Sequence, residues 1–381
     1  MLTNWTYKKR LSVIFRRTNF LREYRDFLGN LKETQPRYLQ TNKETLYTEY
    51  VYSIPLGKVL TDSLEKAIVG AFDRVCKVKS AGGRLYVRIY KYKLPDHVAY
   101  EQLKEINVDT KYTVPIGLTL DDLILHNFDV TPHMTVAGAT RQGKTVFLKQ
   151  LITYLCENNP TEDIRLYLID LKGGLEFGRY ADLKQTVRVA SNACETAKLL
   201  EEVQSEMNRN MSVFRKLGYT NIVDTPIKTR TFVIVDEAAQ LSSEPFMQQE
   251  TKEQLGYCQH ALSEITRIGG ALGYRLVFAT QYPTSDTLPR QIKQNADAKL
   301  SFRLTTEVAS RVALDEQGAE KLTVPGRAIY RTIDKVEIQV PYISDKESEE
   351  RLAKFKEVDQ RDGASYDKVS RTDDDDPLQT G

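Results

Sequence analysis

The chain has 381 residues, of which 41% are apolar and 28% are charged, a composition typical of a soluble globular protein with one large core and a smaller second one. No stretch reaches the roughly 18 uncharged apolar residues of a membrane helix, so we expect neither an integral membrane segment nor a signal peptide. The four cysteines are widely spaced and form no Cys-x-x-Cys pair, which argues against a zinc site or a disulfide framework and favours a cytoplasmic location.

Charge is distributed unevenly along the chain. The net charge is +2, but residues 1–100 carry 19 Lys and Arg against 9 Asp and Glu, and the remainder carries 35 against 43. Residues 1–43 interleave basic and aromatic side chains at helical spacing, which predicts a basic helical arm. Such an arm can lie on nucleic acid, on an anionic membrane or on a partner, or it can pack on the core with a solvated basic face.

Residues 44–115 are predicted to form a small α/β module and a connector. The pattern changes from a strand, TLYTEYVYSI, to a helix, DSLEKAIVGAFDRV, and then to an alternating strand, GRLYVRIYKYKL. The alternation of the last segment is typical of a half-buried strand.

Residues 116–343 are predicted to form one α/β domain with a mostly parallel sheet. Short apolar runs alternate with helical segments: MTVA, IRLYLID, TVRVA, TFVIVDE and RLVFATQ. Strands that are apolar almost throughout are expected where helices cover both faces of a sheet. Residues 344–381 lose their apolar residues and gain a run of aspartates, so we expect an acidic tail that begins as a fraying helix and continues as disorder.

The run MTVA is followed by the phosphate-loop pattern Gly-x-x-x-x-Gly-Lys-Thr and then by a helix former. Its members are Gly138, Ala139, Thr140, Arg141, Gln142, Gly143, Lys144 and Thr145. The glycines let the backbone approach a phosphate, the helix N-terminus faces the anion, and Lys144 adds a charge. The pattern predicts that the chain binds ATP with Mg²⁺, with the Thr145 hydroxyl as one metal ligand.

A second nucleotide motif is the strand Thr231 to Val235 with Asp236 and Glu237 after it. Asp236 is predicted to hold Mg²⁺ and Glu237 to polarise the attacking water; the alternative is a pair of solubilising acids at an ordinary strand end. Two apparent strands, Ile164 to Ile169 and Thr186 to Val189, lie between the two motifs in the sequence. They favour membership in the division of ATPases whose sheet has an extra strand inserted between the two strands that carry the motifs. The run RLVFATQ ends in Gln281, predicted to sense the γ-phosphate, with a simple turn residue as the alternative.

Beyond these motifs, the chain resembles the FtsK/SpoIIIE DNA translocases, within the HerA-FtsK group of ring ATPases. The resemblance lies in PHMTVAGATRQGKTV, LIDLKGGLEF, FVIVDEAAQL, the long segment from EITRIGG to GAEKL, and PGRAIY. It implies a RecA-like motor, a homo-hexameric ring around double-stranded DNA, and ATP sites shared between subunits. Lys144, Asp236, Glu237 and Gln281 would then be catalytic.

The resemblance also implies an arginine that acts on the ATP of a neighbouring subunit. Arg311 and Arg267 are the favoured candidates, and Arg303 and Lys299 are nearby basic alternatives. The DNA-contacting residues stay open: Arg209, Arg215 and Lys216 either form a helical surface or line the ring.

Two features of chromosome-segregating relatives are not expected here, a membrane-spanning N-terminus and a C-terminal winged-helix reader of DNA. The chain therefore looks more like the translocases of plasmids, integrative elements or phages, with coupling in conjugative transfer as the favoured role. Relaxase, replication or secretion-channel proteins would be its partners, and these would hold it peripherally at the membrane. The alternatives are an ATP-switched ring adaptor that binds DNA or a replication protein, and a secretion-type ATPase that moves polypeptide.

Overall fold

The computed structural model describes residues 2–103 and 110–357. The amino-terminal module combines two helices with a short hairpin and a four-stranded antiparallel sheet of order β3-β4-β6-β5. Its elements are α1 (Leu2–Arg17), β1 (Arg22–Arg25), β2 (Leu31–Thr34), β3 (Tyr38–Lys43), β4 (Tyr47–Ser53), α2 (Asp62–Gly70), β5 (Cys76–Ala81) and β6 (Arg84–Tyr90).

The prediction of a helical arm over residues 1–43 is wrong beyond Arg17. The Asp26 carboxylate accepts hydrogen bonds of 2.9 Å from the backbone N–H groups of Leu28 and Asn30, and Gly29 has a φ of +80°. This turn pairs β1 with β2, and β3 then joins the small sheet. A glycine at positive φ and a capped turn end a helical pattern and favour a hairpin.

The helix α1 packs on the small sheet. This agrees with the interpretation in which the basic segment packs on the core and keeps a solvated basic face. Leu11, Ile14 and Phe15 are buried in the core of the module. Arg10 and Arg17 on the opposite side are exposed. Deleting residues 1–43 would therefore remove Leu11, Ile14 and Phe15 from the core of the module and expose it.

The larger domain contains the remaining helices and strands. They are β7 (Thr113–Leu118), β8 (Leu123–Asn127), β9 (Met134–Ala137), α3 (Lys144–Asn158), β10 (Ile164–Ile169), β11 (Thr186–Ala190), α4 (Ala193–Leu217), β12 (Arg230–Val235), α5 (Gln249–Ile268), β13 (Tyr274–Thr280), α6 (Arg290–Asn295), β14 (Ala298–Phe302), α7 (Glu307–Leu314), β15 (Arg327–Arg331), β16 (Lys335–Gln339) and α8 (Asp345–Leu352). Because β7 lies in the sheet of this domain, the domain begins before the predicted residue 116.

Among the described residues, the strands of this domain form a ten-stranded sheet of order β11-β10-β12-β13-β9-β14-β15-β16-β7-β8. The strands from β11 to β14 in this order are parallel, and those beyond β14 are antiparallel. Along β10, Leu166 and Leu168 face one core while Tyr167 and Ile169 face the other. The predicted fold class, α/β with a mostly parallel sheet covered on both faces, is confirmed, and β13 is the extra strand between β9 and β12.

The acidic segment after residue 343 begins with a helix that is fixed rather than fraying. Leu352 of α8 is buried, and the Thr153 and Ser348 hydroxyls are 2.8 Å apart. Arg351 forms an ion pair of 3.3 Å with Glu157. The predicted disorder of the rest of the tail falls on residues 358–381, which lie outside the described residues.

A cluster of two buried arginines and one partly buried aspartate lies at the amino edge of the parallel strands, where β12 and β13 begin. The Asp129 carboxylate accepts from Arg230 at 2.8 and 3.0 Å and from Arg275 at 2.7 Å. Burial raises the pKa of Asp129, but the hydrogen bonds from the two arginines outweigh it and hold the pKa below its usual value. We call Asp129, Arg230 and Arg275 the amino-edge cluster.

Two buried histidines flank the amino-edge cluster. His126 Nδ1 lies 2.8 Å from the Tyr330 hydroxyl, and His133 Nδ1 accepts from the N–H of Leu276 at 3.0 Å. Burial lowers the pKa of each histidine to about 3. Both rings are therefore neutral in the folded chain near neutral pH.

No helix in residues 2–103 or 110–357 has the length and apolar character that crossing a membrane requires.

Candidate nucleotide site

The phosphate loop connects β9 to α3 at the carboxyl edge of the sheet. A Cβ added to Gly138 would lie 2.8 Å from the Phe302 side chain, and one on Gly143 would also lie 2.8 Å from it. Gly143 also has a φ of +123°. The two glycines are thus required by the ring that packs under the loop, a reason beyond the approach to phosphate that the sequence suggested.

Neighbouring elements fix the loop from three sides. Gly138 N–H donates to the Thr280 carbonyl at 3.2 Å, and Ala139 N–H donates to the Arg303 carbonyl at 2.9 Å. The Gln142 carbonyl accepts from the N–H of Gly326 at 2.9 Å. The N–H groups of the first turn of α3 have no partner within the helix, and the cavity borders that turn, so an anion in the cavity can accept from them.

Asp236 and Glu237 follow β12 and lie beside Lys144, as the two motifs predicted. Lys144 Nζ is 2.8 Å from Asp236 Oδ1 and 3.9 Å from Glu237 Oε2, and it also donates to the Asp236 main-chain carbonyl. All three residues are buried, with Asp236 at 0% exposure. Buried charges need close partners, and here the acidic pair of the second motif partners the lysine of the first.

A second lysine, Lys172, completes this group. Its Nζ is 3.4 Å from Asp236 Oδ2 and 3.6 Å from Glu237 Oε2. We call Lys144, Lys172, Asp236 and Glu237 the carboxyl-edge cluster; it balances two positive and two negative charges beside an open cavity.

Lys172 lies in the segment LIDLKGGLEF, for which the sequence motifs predict no catalytic role. Lys172 lies in the turn that follows β10, and Asp170 shapes this turn by accepting from the N–H groups of Glu176 and Phe177 at 2.7 and 3.0 Å. Since β10 is the parallel neighbour of β12, both strands end at the same sheet edge. The adjacency of β10 and β12 was the signal by which Lys172 could have been assigned to the site.

Gln281 and the residue before it connect Glu237 to the phosphate loop. The Thr280 hydroxyl and the Gln281 backbone N–H each donate to Glu237 Oε1 at 3.0 Å. The Gln281 side-chain oxygen accepts from the Thr140 hydroxyl at 3.0 Å. The structure thus brings Gln281 together with both nucleotide motifs, and it adds Thr280, which sequence reasoning missed.

The candidate trans-acting residues lie outside this site in their own chain. Arg267 is 57% exposed and pairs with Glu264 at 2.5 Å near the end of α5, at the amino edge of the sheet. Arg311 is 63% exposed and pairs with Glu307 at 2.6 Å on α7. Of the alternatives, Lys299 forms an ion pair with Asp315, and Arg303 is exposed at the end of β14.

The three basic residues of α4 that were predicted either to form a surface or to line a ring are Arg209, Arg215 and Lys216, and all are exposed. They lie on one long helix that covers a face of the sheet, with Leu199, Leu200 and Val203 on its buried side.

A cavity of about 840 Å³ borders the phosphate loop, Lys144, Thr145, Lys172 and Gln281. The cavity also borders Glu176, whose pKa is raised by burial and by the charge of Asp236. The Thr145 hydroxyl and the Asp236 carboxylate are hard oxygen ligands of the kind that Mg²⁺ takes in phosphate sites. The donor set therefore fits the predicted Mg²⁺ with ATP.

Comparison with known proteins shows which proteins the chain is similar to. Residues 107–231 match the FtsK/SpoIIIE family. The DNA translocase FtsK of Streptococcus agalactiae is 29% identical over 302 residues, covering 72% of this chain and 36% of that protein. The FtsK of Staphylococcus epidermidis is 29% identical over 277 residues, 66% of this chain and 34% of that protein. The chain thus spans about a third of the length of these relatives.

Solved structures share the fold. The conjugation coupling protein TcpA of pCW3, solved as a monomer with ATPγS, superposes with a TM-score of 0.65 at 20% identity, covering 91% of this chain and 99% of that one. The cytoplasmic domain of the type VII secretion ATPase EccC of Thermomonospora curvata gives 0.57 at 21% identity, covering 68% of this chain and 34% of that one. The resemblance predicted from the sequence is confirmed as a similarity: residues 107–231 match the FtsK/SpoIIIE family, and the chain shares its fold with P-loop ATPases such as TcpA.

Proposed function

We propose that the protein is an ATPase that translocates DNA, and that the carboxyl-edge cluster is its catalytic site. The observation that carries the proposal is that Lys144, which lines the cavity at the phosphate loop, lies 2.8 Å from Asp236 and 3.9 Å from Glu237. The similarity of the chain to FtsK translocases favours DNA as the polymer that the ATPase moves.

Each residue of the site has a proposed role. Lys144 and the N–H groups at the start of α3 bind the phosphates, and Thr145 and Asp236 hold Mg²⁺. The metal neutralises phosphate charge when it is bound. Glu237 orients and polarises the attacking water.

Lys144 changes partner in this scheme. Without nucleotide, Lys144 and Lys172 neutralise the two carboxylates. When Mg²⁺ and ATP are bound, Asp236 would hold the metal and Lys144 would bind the phosphates in place of Asp236. Lys172 stays beside Glu237.

Gln281 is proposed to report hydrolysis from the site to the bound polymer. Its backbone N–H contacts Glu237 and its side chain contacts Thr140 of the phosphate loop. A change at the γ-phosphate that moves either group therefore moves the segment after β13.

The active unit is proposed to be a homo-hexameric ring in which a neighbour supplies an arginine, Arg311 first and Arg267 second. Both are exposed and neither lines the described nucleotide cavity of its own chain. Arg311→Ala subunits mixed with Lys144→Ala subunits should then recover activity that neither parent has. If mixed rings form and stay inactive, Arg311 has no trans role and the same test applies to Arg267.

The cellular role we propose is coupling of mobile-element DNA to conjugative transfer, in the cytoplasm and at the membrane only through partner proteins. Support comes from the fold of TcpA, which matches this chain over nearly its whole length, amino-terminal module included. Relaxase, replication or secretion-channel proteins are the proposed partners.

DNA-stimulated ATP hydrolysis tests the proposal against its alternatives. Duplex DNA should raise the hydrolysis rate of the full chain, and a triplex-displacement assay should detect movement. An adaptor would bind DNA without displacing the third strand, and a secretion-type ATPase would respond to polypeptide instead. Hydrolysis that is indifferent to double- and single-stranded DNA contradicts the proposal.

The exposed basic face of α1 is proposed to contact DNA. Changing Arg10 and Arg17 to Gln leaves the buried face of the helix intact, unlike deletion of residues 1–43. If both contact phosphates, the slope of log affinity against log salt should flatten by roughly 2. An unchanged slope would favour a protein-docking or membrane-surface role.

A further inference from the structure

The cavity at the phosphate loop has two ends of different chemistry. One end carries Lys144, Lys172, Glu176 and Gln281, which are charged or polar. The other end, which we call the apolar end, is built mainly from rings and short apolar groups outside the nucleotide motifs, with Asp96, Thr323 and Gln339 as its polar members. The rings and apolar groups are His97, Val324, Pro325, Val340, Pro341 and Tyr342.

The apolar end is supplied partly by the segment that leaves the amino-terminal module. Arg327 at the start of β15 binds this segment: its Nη2 donates to the carbonyls of Leu94 and Pro95 at 3.2 and 3.1 Å and to Asp96 Oδ1 at 3.1 Å. Its Nε donates to Gln339 Oε1 at 2.9 Å. A nearly buried guanidinium with this many partners holds the segment in place.

Backbone hydrogen bonds fix Tyr342 against the same segment. Tyr342 N–H donates to the Val98 carbonyl at 2.8 Å, and its own carbonyl accepts from the N–H of Tyr100 at 2.9 Å. The His97 and Tyr342 rings have centroids 5.5 Å apart and an interplanar angle of 48°. Tyr342 remains 48% exposed, so part of its ring is open toward the cavity.

Gly326 joins this wall to the phosphate loop. Its N–H donates to the Gln142 carbonyl, and its carbonyl accepts from the N–H of Val340, both at 2.9 Å. Gly326 has a φ of +78°, and a Cβ there would lie 2.6 Å from Gln339 Nε2. No other residue fits this junction without displacing its neighbours.

We propose that His97 and Tyr342 form the surface on which the base of the nucleotide lies. The proposal rests on the proposed function, in which this cavity binds ATP with its phosphates at the Lys144 end. The base then points to the end that presents aromatic rings, and bases stack on such rings. Because His97 belongs to the segment leaving the amino-terminal module, nucleotide occupancy reaches that module directly.

The test compares ATP with inorganic tripolyphosphate, which carries phosphates without a base. Binding of each to the full chain with Mg²⁺ is measured by calorimetry for His97→Ala, Tyr342→Ala and Tyr342→Phe. The two alanine variants should bind ATP about 10-fold more weakly, the scale of one lost stacking contact. Tripolyphosphate affinity should be unchanged, and Tyr342→Phe should bind ATP like the original chain.

Tyr92 provides a matched control, since it is an exposed tyrosine near the same segment that does not line the cavity. Tyr92→Ala should leave both affinities unchanged. Equal losses of ATP and tripolyphosphate affinity in the His97 and Tyr342 variants, or no loss of either, would overturn the base site alone. Failure of the original chain to bind either compound would instead overturn the proposed function, and the base site with it.

Discussion

The two edges of the parallel sheet both hold buried charges, yet they differ in what surrounds those charges. At the amino edge, Asp129 is held by two arginines in fixed geometry with 2.7 to 3.0 Å contacts. At the carboxyl edge, Lys172 lies at the looser distances of 3.4 and 3.6 Å from its two carboxylates, and the cluster borders a cavity of about 840 Å³.

The contrast shows that buried charge by itself does not identify a functional site. The amino-edge cluster ties the residues before β9 to the starts of β12 and β13, and its guanidinium donors are directed at a partner already present. The carboxyl-edge cluster has partners that a metal ion and a phosphate can replace. We therefore expect the first to govern stability and the second to govern hydrolysis.

The largest expected effect is on hydrolysis at the carboxyl edge. Glu237→Gln should lower kcat by about 10² to 10⁴, the usual loss on removing a general base, while ATP still binds. Lys144→Ala should abolish both binding and hydrolysis. Steady-state hydrolysis and nucleotide calorimetry separate the two outcomes, and normal turnover by Glu237→Gln would remove that residue from its role.

The next effect is on stability at the amino edge. Asp129→Ala leaves two buried arginines without their carboxylate and should lower the free energy of unfolding by about 3 kcal/mol. Chemical denaturation measures this change, and Glu350→Ala, which removes an exposed acid paired with Lys346, should cost about 1 kcal/mol or less. Unchanged ATP affinity in the folded Asp129→Ala variant would show that the amino-edge cluster acts on stability and not on nucleotide binding. Unchanged stability would contradict the prediction.

We also expect the free energy of unfolding to depend on pH through a buried histidine at the amino edge. The pKa of His126 is about 3 in the folded chain because the ring is buried, while the unfolded ring has a pKa of about 6.5. The unfolded state therefore binds more protons between these values, and stability falls as pH decreases through this window, by up to about 1.4 kcal/mol per pH unit for one ring.

His126→Asn removes this titration while its amide can still bond the Tyr330 hydroxyl. Denaturation at several pH values between 6 and 4 should show a shallower loss of stability in this variant. His260→Gln, at an exposed position, is the control and should keep the original slope. Equal slopes in all three proteins would contradict the assignment to His126.

The smallest expected effect tests how the carboxyl edge positions its base. Thr280→Val removes the hydroxyl that donates to Glu237 at 3.0 Å and should lower kcat about 5-fold, the scale of one lost hydrogen bond, with ATP affinity unchanged. Thr280→Ser keeps the hydroxyl and should restore turnover. A valine variant with full kcat would show that the contact does not orient Glu237.

Local sequence determined the strands β9, β10, β11, β12 and β13 and the nucleotide motifs of this protein. Apolar runs that are buried on both faces and a loop of fixed spacing are signals contained within a few neighbouring residues. The motifs also predicted roles at the nucleotide for Lys144, Asp236, Glu237 and Gln281, and the structure brings these residues together because parallel strands that end at one sheet edge bring their following residues together.

Tertiary structure decided which distant residues join that edge. Lys172, Thr280, Phe302 and Gly326 enter the site from four segments, and no spacing rule connects them to the phosphate loop. The hairpin after α1 was missed because its basic and aromatic residues fit a helical period, while Asp26 and Gly29 form a turn whose effect depends on pairing across it. The order of the strands in the sheet sets which residues are neighbours in space. It therefore decided the contacts that periodicity along the chain could not predict.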